Sequence, residues 1–198
     1  MAADAQGNDL DKVEVPITGG IMLVEYSEEN KITSEMIGKN VAEPELPEAY
    51  ARETACIGLI TQDGGPQDSR DADDATEFYQ DGYSLPASST LSTSFTAAEN
   101  NEMTRRVTLG KPDSNGVYSV DDIVQADKWC AYQEETLRGG RVRRRAGVVQ
   151  VTGNEPNQSE RGSVKGTALT VTWQADPLYG GHKYIECIYD PATASPGG

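Results

Sequence analysis

Strict alternation of apolar and polar side chains over residues 169–175 (LTVTWQA) sets Leu169, Val171, Trp173 and Ala175 on one side and Thr170, Thr172 and Gln174 on the other. That is the pattern of a β-strand with one buried and one wet face, because successive strand side chains point to opposite faces. The same period recurs at 91–97, where Leu91, Thr93, Phe95 and Ala97 alternate with Ser92, Ser94 and Thr96. It recurs again at 184–189, where Ile185, Cys187 and Tyr189 alternate with Tyr184, Glu186 and Ile188. Further extended candidates are 17–26, 54–61, 77–80, 129–137 and 141–152, so the reading predicts a mainly β chain. No internal repeat of fixed period is visible, which excludes a solenoid or propeller.

One segment reads as a helix. Thr96 with Glu99 three residues on has the form of a capping box, Met103 and Val107 share a face, and Gly110 with Pro112 closes the run, predicting a helix over 97–109. Twenty glycines and ten prolines in 198 residues leave much irregular backbone around these elements. Residues 27–51 and 63–76 are acidic and read as long loops, and 153–162 as a polar one. Residues 1–12 and 191–198 read as mobile or arm-like termini of a single domain spanning 1–198. Loops this long are uncommon in a compact monomer, so the first two are expected to order against neighbours.

The chain carries 17 basic and 32 acidic side chains, a formal net charge of −15. A reader of DNA or RNA needs a basic face, so the balance argues against that class. The asymmetry is sharper than the total: residues 1–104 hold 5 basic and 21 acidic side chains, residues 105–198 hold 12 and 11. Such a dipole suits head-to-tail self-association. The densest positive cluster is Arg138, Arg141, Arg143, Arg144 and Arg145. The matching acidic stretch holds Asp63, Asp68, Asp71, Asp73 and Asp74. Because arginine favours two-pronged carboxylate contacts at interfaces, these ten residues are the candidate subunit-interface set.

Motifs for chemistry are absent. No 12-residue frame through the 63–76 loop supplies both the glycine and the terminal glutamate of a calcium-binding hand. There is no phosphate-binding glycine loop and no zinc spacing. No nucleophile motif accompanies His182, the single histidine, in its Gly-Gly-His-Lys turn. Trp129 and Trp173 read as core. Cys56, Cys130 and Cys187, odd in number and widely spaced, read as free thiols in a reducing compartment. No apolar run approaches membrane-spanning length and no signal segment is visible, so the expectation is a soluble protein made in the cytosol, with no enzyme activity, cofactor or metal.

The order of these segments resembles a known family. The run IGLITQDGG (57–65), then ATEFYQDGYSL (75–85) and SSTLSTSFTAAENNEMTRRVTLG (88–110), is similar to the major tail tube proteins of long-tailed siphophages. So is LRGGRVRRRAGVVQVTGNEPNQSERGSVKGTALTVTWQADPLYG (137–180), and the resemblance covers about residues 50–190. It implies a β-sandwich with one flanking α-helix and long loops, whose sheets join into a barrel in a ring oligomer, most simply a hexamer. It implies a structural virion protein that polymerises into stacked rings as the conduit for DNA. Its partners would be further copies of itself, the tape measure protein, and the tail terminator and distal tail proteins. DNA would be non-specific cargo and no membrane would be involved. Its place would be the virion tail, assembled in the bacterial host cytoplasm. A tail terminator or distal tail ring, and a soluble β-sandwich binding module, are the other functions the residues admit.

Overall fold

The computed structural model describes residues 5–120 and 127–194. The outer parts of the two expected arms, residues 1–4 and 195–198, lie outside the described residues. The chain is mainly β. In order it forms β1 (Pro16–Glu25), the short helices α1 (Ser34–Ile37) and α2 (Arg52–Ala55), β2 (Gln67–Ala72), β3 (Thr76–Glu77), β4 (Ser84–Leu85) and β5 (Ser89–Ala97). Then come α3 (Glu102–Leu109), β6 (Lys128–Leu137), β7 (Val142–Pro156), β8 (Thr167–Gln174) and β9 (Tyr184–Tyr189).

Seven of the strands make one antiparallel sheet in the order β1-β6-β7-β8-β5-β2, with β9 also paired to β7. The 15-residue β7 holds this sheet together. Its first part, through Gln150, lies along β6. On its other side Val142–Gly147 pair with β9, and the chain from Val148 onward pairs with β8. A bulge between Val151 and Gly153 bends the strand in the β8 stretch.

Two apolar clusters lie on opposite faces. The first joins Ile21, Leu23, Phe95, Trp129, Val149, Leu169, Val171 and Trp173 to Met103 and Val107 of α3. The second joins Met22, Val24, Cys130, Tyr132, Ala146 and Val148 to Ile32, Ile37, Tyr50 and Ala55 of the 28–55 segment. The centre of the sheet is therefore covered on both sides, and the unbroken runs 21–24 and 129–133 are buried throughout. The alternating strands β5 and β8 keep one face partly open.

The structure corrects several expectations. Residues 27–51 carry only short helical turns in irregular backbone, and they order against their own sheet: Tyr179 Oη accepts from the Ile32 N–H at 3.2 Å, Tyr50 Oη donates to the Asn30 carbonyl at 3.1 Å, and the segment roofs the second cluster. Residues 63–76 contain β2, one of the two edge strands at the ends of the sheet order. Residues 54–61 are not a strand, because Gly58 turns the chain at φ +92° and only isolated bridges, Met22 to Cys56 and Ile60 to Ala97, remain. Of 77–80 only Glu77 is extended, and β7 runs on to Pro156 inside the expected 153–162 loop. Helix α3 starts five residues later than predicted. Thr96 lies in β5, and Glu99 accepts from the Leu59 N–H at 2.8 Å instead of closing a box. Asn101 is the cap, its Oδ1 accepting from the Thr104 N–H at 2.9 Å.

Candidate functional site

The β6–β7 hairpin decides what the arginine cluster does. Its turn, with Gly139 and Gly140 at φ +88° and +82°, sets a register with Glu134 opposite Arg144, Glu135 opposite Arg143 and Gln133 opposite Arg145. Arg143 pairs with Glu135 at 3.2 Å and with Glu14 ahead of β1. Arg144, with a side chain 2% exposed, donates to the carbonyls of Val41 and Ala42 at 2.5 and 2.7 Å and meets Glu134 at 3.4 Å. Its guanidinium also lies 5.3 Å from the Tyr189 ring centroid. Glu134 accepts in turn from Tyr132 Oη at 2.7 Å, and burial, with that bond, pushes the hydroxyl's pKa up from its ordinary value near 10.

Arg145 emerges on the opposite face and bridges Glu186 at 2.5 Å and Asp68 at 2.6 Å. Asp68 also accepts from Thr93 Oγ1 at 2.7 Å, and Thr93 accepts from Trp173 Nε1 at 2.9 Å. This chain of bonds ties β7, β2, β5 and β8 together around the first cluster. Arg143, Arg144, Arg145 and Asp68 are thus partnered within the chain, and for Arg143 and Arg144 the facing Glu135 and Glu134 across a Gly-Gly turn already encode the pairing. Arg141 donates to the Val13 carbonyl at 3.3 Å, and Arg138 is exposed. Of the acidic candidates, Asp71 accepts from Ser69 Oγ at 3.2 Å, while Asp63, Asp73 and Asp74 are exposed. No group of three or more potential metal ligands occurs among the described residues.

Three features remain open to a partner. The half-sheet β7-β8-β5-β2 has a face of hydroxyls and amides, with Thr152, Thr170, Thr172, Ser92 and Ser94 at its centre. Thr152 Oγ1 and Thr172 Oγ1 are 2.9 Å apart, as are Ser94 Oγ and Thr170 Oγ1. Both of its edges are free among the described residues: β2 pairs only with β5, and on the β6 side of β7 pairing stops at Gln150, leaving 151–156 unpaired. Finally, the chain between β2 and β5 projects as a hairpin closed by β3 and β4. Against known proteins, the chain matches no family model and no curated sequence.

A separate buried site lies behind β6. Asp176, fully buried, accepts from Lys128 Nζ at 2.7 Å, from Tyr26 Oη at 2.8 Å and from the Leu178 N–H at 3.0 Å. Burial alone would push this carboxyl up, but the three donors together hold it below the usual carboxylate range. Lys128 is raised by the same contact. A carboxyl depressed on folding adds stability above its unfolded value of about 4 and loses it as pH falls through the folded value. The expected result is a melting temperature that falls steeply below about pH 4, with a shallower acid limb in Asp176→Asn measured over pH 2–7. Identical limbs would remove Asp176 from the account. Among the described residues no helix is long and apolar enough to cross a membrane.

Proposed function

We propose that this chain is a structural virion protein, the tail tube subunit, which polymerises into stacked and most simply hexameric rings through which DNA passes. The observation that carries the reading is the half-sheet β7-β8-β5-β2, with one face of hydroxyls and two free edges. Because its four strands alternate in direction, β2 of one copy and residues 151–156 of the next would meet antiparallel, as every other neighbour in the sheet does. Repeating that contact around an axis closes a barrel and removes the unpaired edges that are otherwise a liability.

In that arrangement the hydroxyl face forms the lumen wall. It offers DNA no cationic grip, and the net charge of −15 per copy repels the phosphates. The tape measure protein would occupy the lumen first, and the tail terminator and distal tail proteins would cap the ends. No catalysis, cofactor or metal enters the reading. Arg138, Arg141, Asp63, Asp73 and Asp74 keep their place as interface candidates, while the other five serve the fold of each copy or its edge strand.

Negative-stain electron microscopy with light scattering on the full chain, at rising concentration and at low and high salt, tests the reading. Hollow tubes or stacked rings are the expected result. Single rings that do not stack would move the protein to the terminator or distal tail class, and a monomer under every condition would overturn the proposal. Tubes that dissolve in high salt would assign the contact to charges, and tubes that persist to the sheet edges.

A further inference from the structure

The projecting hairpin ends in apolar side chains that touch neither core cluster. Phe78, Tyr79, Tyr83 and Leu85 are 53%, 102%, 69% and 59% exposed. They are held by the β3–β4 pairing and by the Phe78 N–H donating to the Tyr83 carbonyl at 3.1 Å, with Gly82 at φ +85° in the turn. Around them sit Asp71, Asp73, Asp74, Glu77 and Asp81, and no lysine or arginine occurs from residue 71 to residue 104. So large an exposed aromatic group on an acidic arm is a contact surface rather than a solvated loop.

At the other end of β5 lies a cleft of about 500 Å³, lined by Leu59, Ile60, Thr61, Ala98, Asn157 and Val164. Leu59 and Val164 are 71% and 68% exposed. Arg161 and Lys165 are exposed in the adjoining 157–166 segment and have no partner among the described residues; of the acidic groups, Asp63 lines one wall of the cleft and Glu160 precedes Arg161 in the chain. The nine residues of β5, at about 3.3 Å each, set arm and cleft roughly 30 Å apart at opposite ends of one strand.

We infer that the arm of one copy seats Phe78 and Tyr79 in the Leu59–Val164 cleft of a second copy stacked on it, with the arm's carboxylates facing Arg161 and Lys165. Because arm and cleft lie at opposite ends, the contact is heterologous and propagates without closing, which makes a filament rather than a dimer. The inference rests on the tube reading and names its axial contact, distinct from the lateral pairing of sheet edges.

The test replaces Tyr79, whose full exposure spares the fold, with the photo-crosslinker p-benzoylphenylalanine in the full chain. Irradiation should give covalent dimers and longer ladders, with the crosslinked peptide mapping to 59–64 or 157–165 of the second chain. Leu59→Asp combined with Val164→Asp, both exposed positions, should cut the crosslink yield about tenfold, and Arg161→Glu with Lys165→Glu should weaken it and flatten its salt dependence. Crosslinks that map elsewhere, no covalent dimer at concentrations where the protein associates or remains monomeric, or a yield unmoved by the Leu59 and Val164 pair would overturn the docking. Hollow tubes with crosslinks elsewhere would sink this contact and leave the tube reading standing. Cleft crosslinks without rings would do the reverse.

Discussion

Arg144→Ala should destabilise the folded monomer by about 3 kcal/mol, roughly 10 °C in melting temperature. The guanidinium is buried between the sheet and the 28–55 segment, where Glu134 meets it. Its loss leaves the Val41 and Ala42 carbonyls without their donors, Glu134 without its cation and a cavity against Tyr189. Removing a side chain that is itself 2% exposed takes away its packing together with three polar contacts, so the cost exceeds that of an exposed ion pair. Arg144→Lys keeps the charge and has three donors, but its compact ammonium cannot span the two carbonyls and the carboxylate that the planar fork reaches, and it should fall between alanine and wild type. Thermal denaturation reads the size of the effect. Limited proteolysis reads its place, with new cleavage inside residues 28–55 before any in β6 or β7. A wild-type melting temperature in Arg144→Ala would mean that the roof is held by Ile32, Ile37 and Tyr50 alone.

The intrachain pairing also explains why the arginine run misleads when read without its fold. A charge cluster in a chain that is otherwise acidic looks like a surface for a partner, and Arg138 and Arg141 remain candidates of that kind. Arg143, Arg144 and Arg145 are instead matched by Glu135, Glu134, Asp68 and Glu186 of the same chain. The signal for half of this was present: Gln133, Glu134 and Glu135 stand at mirrored distances from Arg145, Arg144 and Arg143 about the Gly139–Gly140 turn. The contributions of Asp68 and Glu186 come from strands distant in sequence, and local spacing does not carry them.

The strands that could be read are those whose side chains see two different environments. β5 and β8 alternate because one face is buried and the other wet, and β1, β6 and β7 announce themselves by apolar runs buried on both faces. β2 reads as a loop in sequence for a physical reason: all six of its residues (QDSRDA) are exposed, so no burial pattern marks it and backbone pairing to β5, with the Asp68 bonds, holds it. The 28–55 roof escaped because Ile32, Ile37 and Tyr50 follow no helical or strand period; each is placed by a separate turn. Asp176 carried a weak local signal, an Asp-Pro step capping a short turn, but nothing in the sequence pairs it with Lys128 or Tyr26.

The largest expected effect on assembly belongs to that same unmarked strand. Along an antiparallel edge strand, backbone N–H groups point alternately toward the partner and away from it, so of Ser69 and Arg70 one faces β5 and the other faces outward. Proline removes the N–H without regard to side chain, and at an outward position of an edge strand the monomer tolerates it. Of the two variants Ser69→Pro and Arg70→Pro, one should lose a ladder bond and melt lower while the other keeps the wild-type melting temperature. The second should remain monomeric in light scattering where wild type forms rings, because its edge can no longer donate to residues 151–156 of the next copy. Both side chains are exposed, so neither variant disturbs the core and the comparison isolates the backbone. Rings formed by the variant that melts like wild type would rule out β2 as the lateral edge.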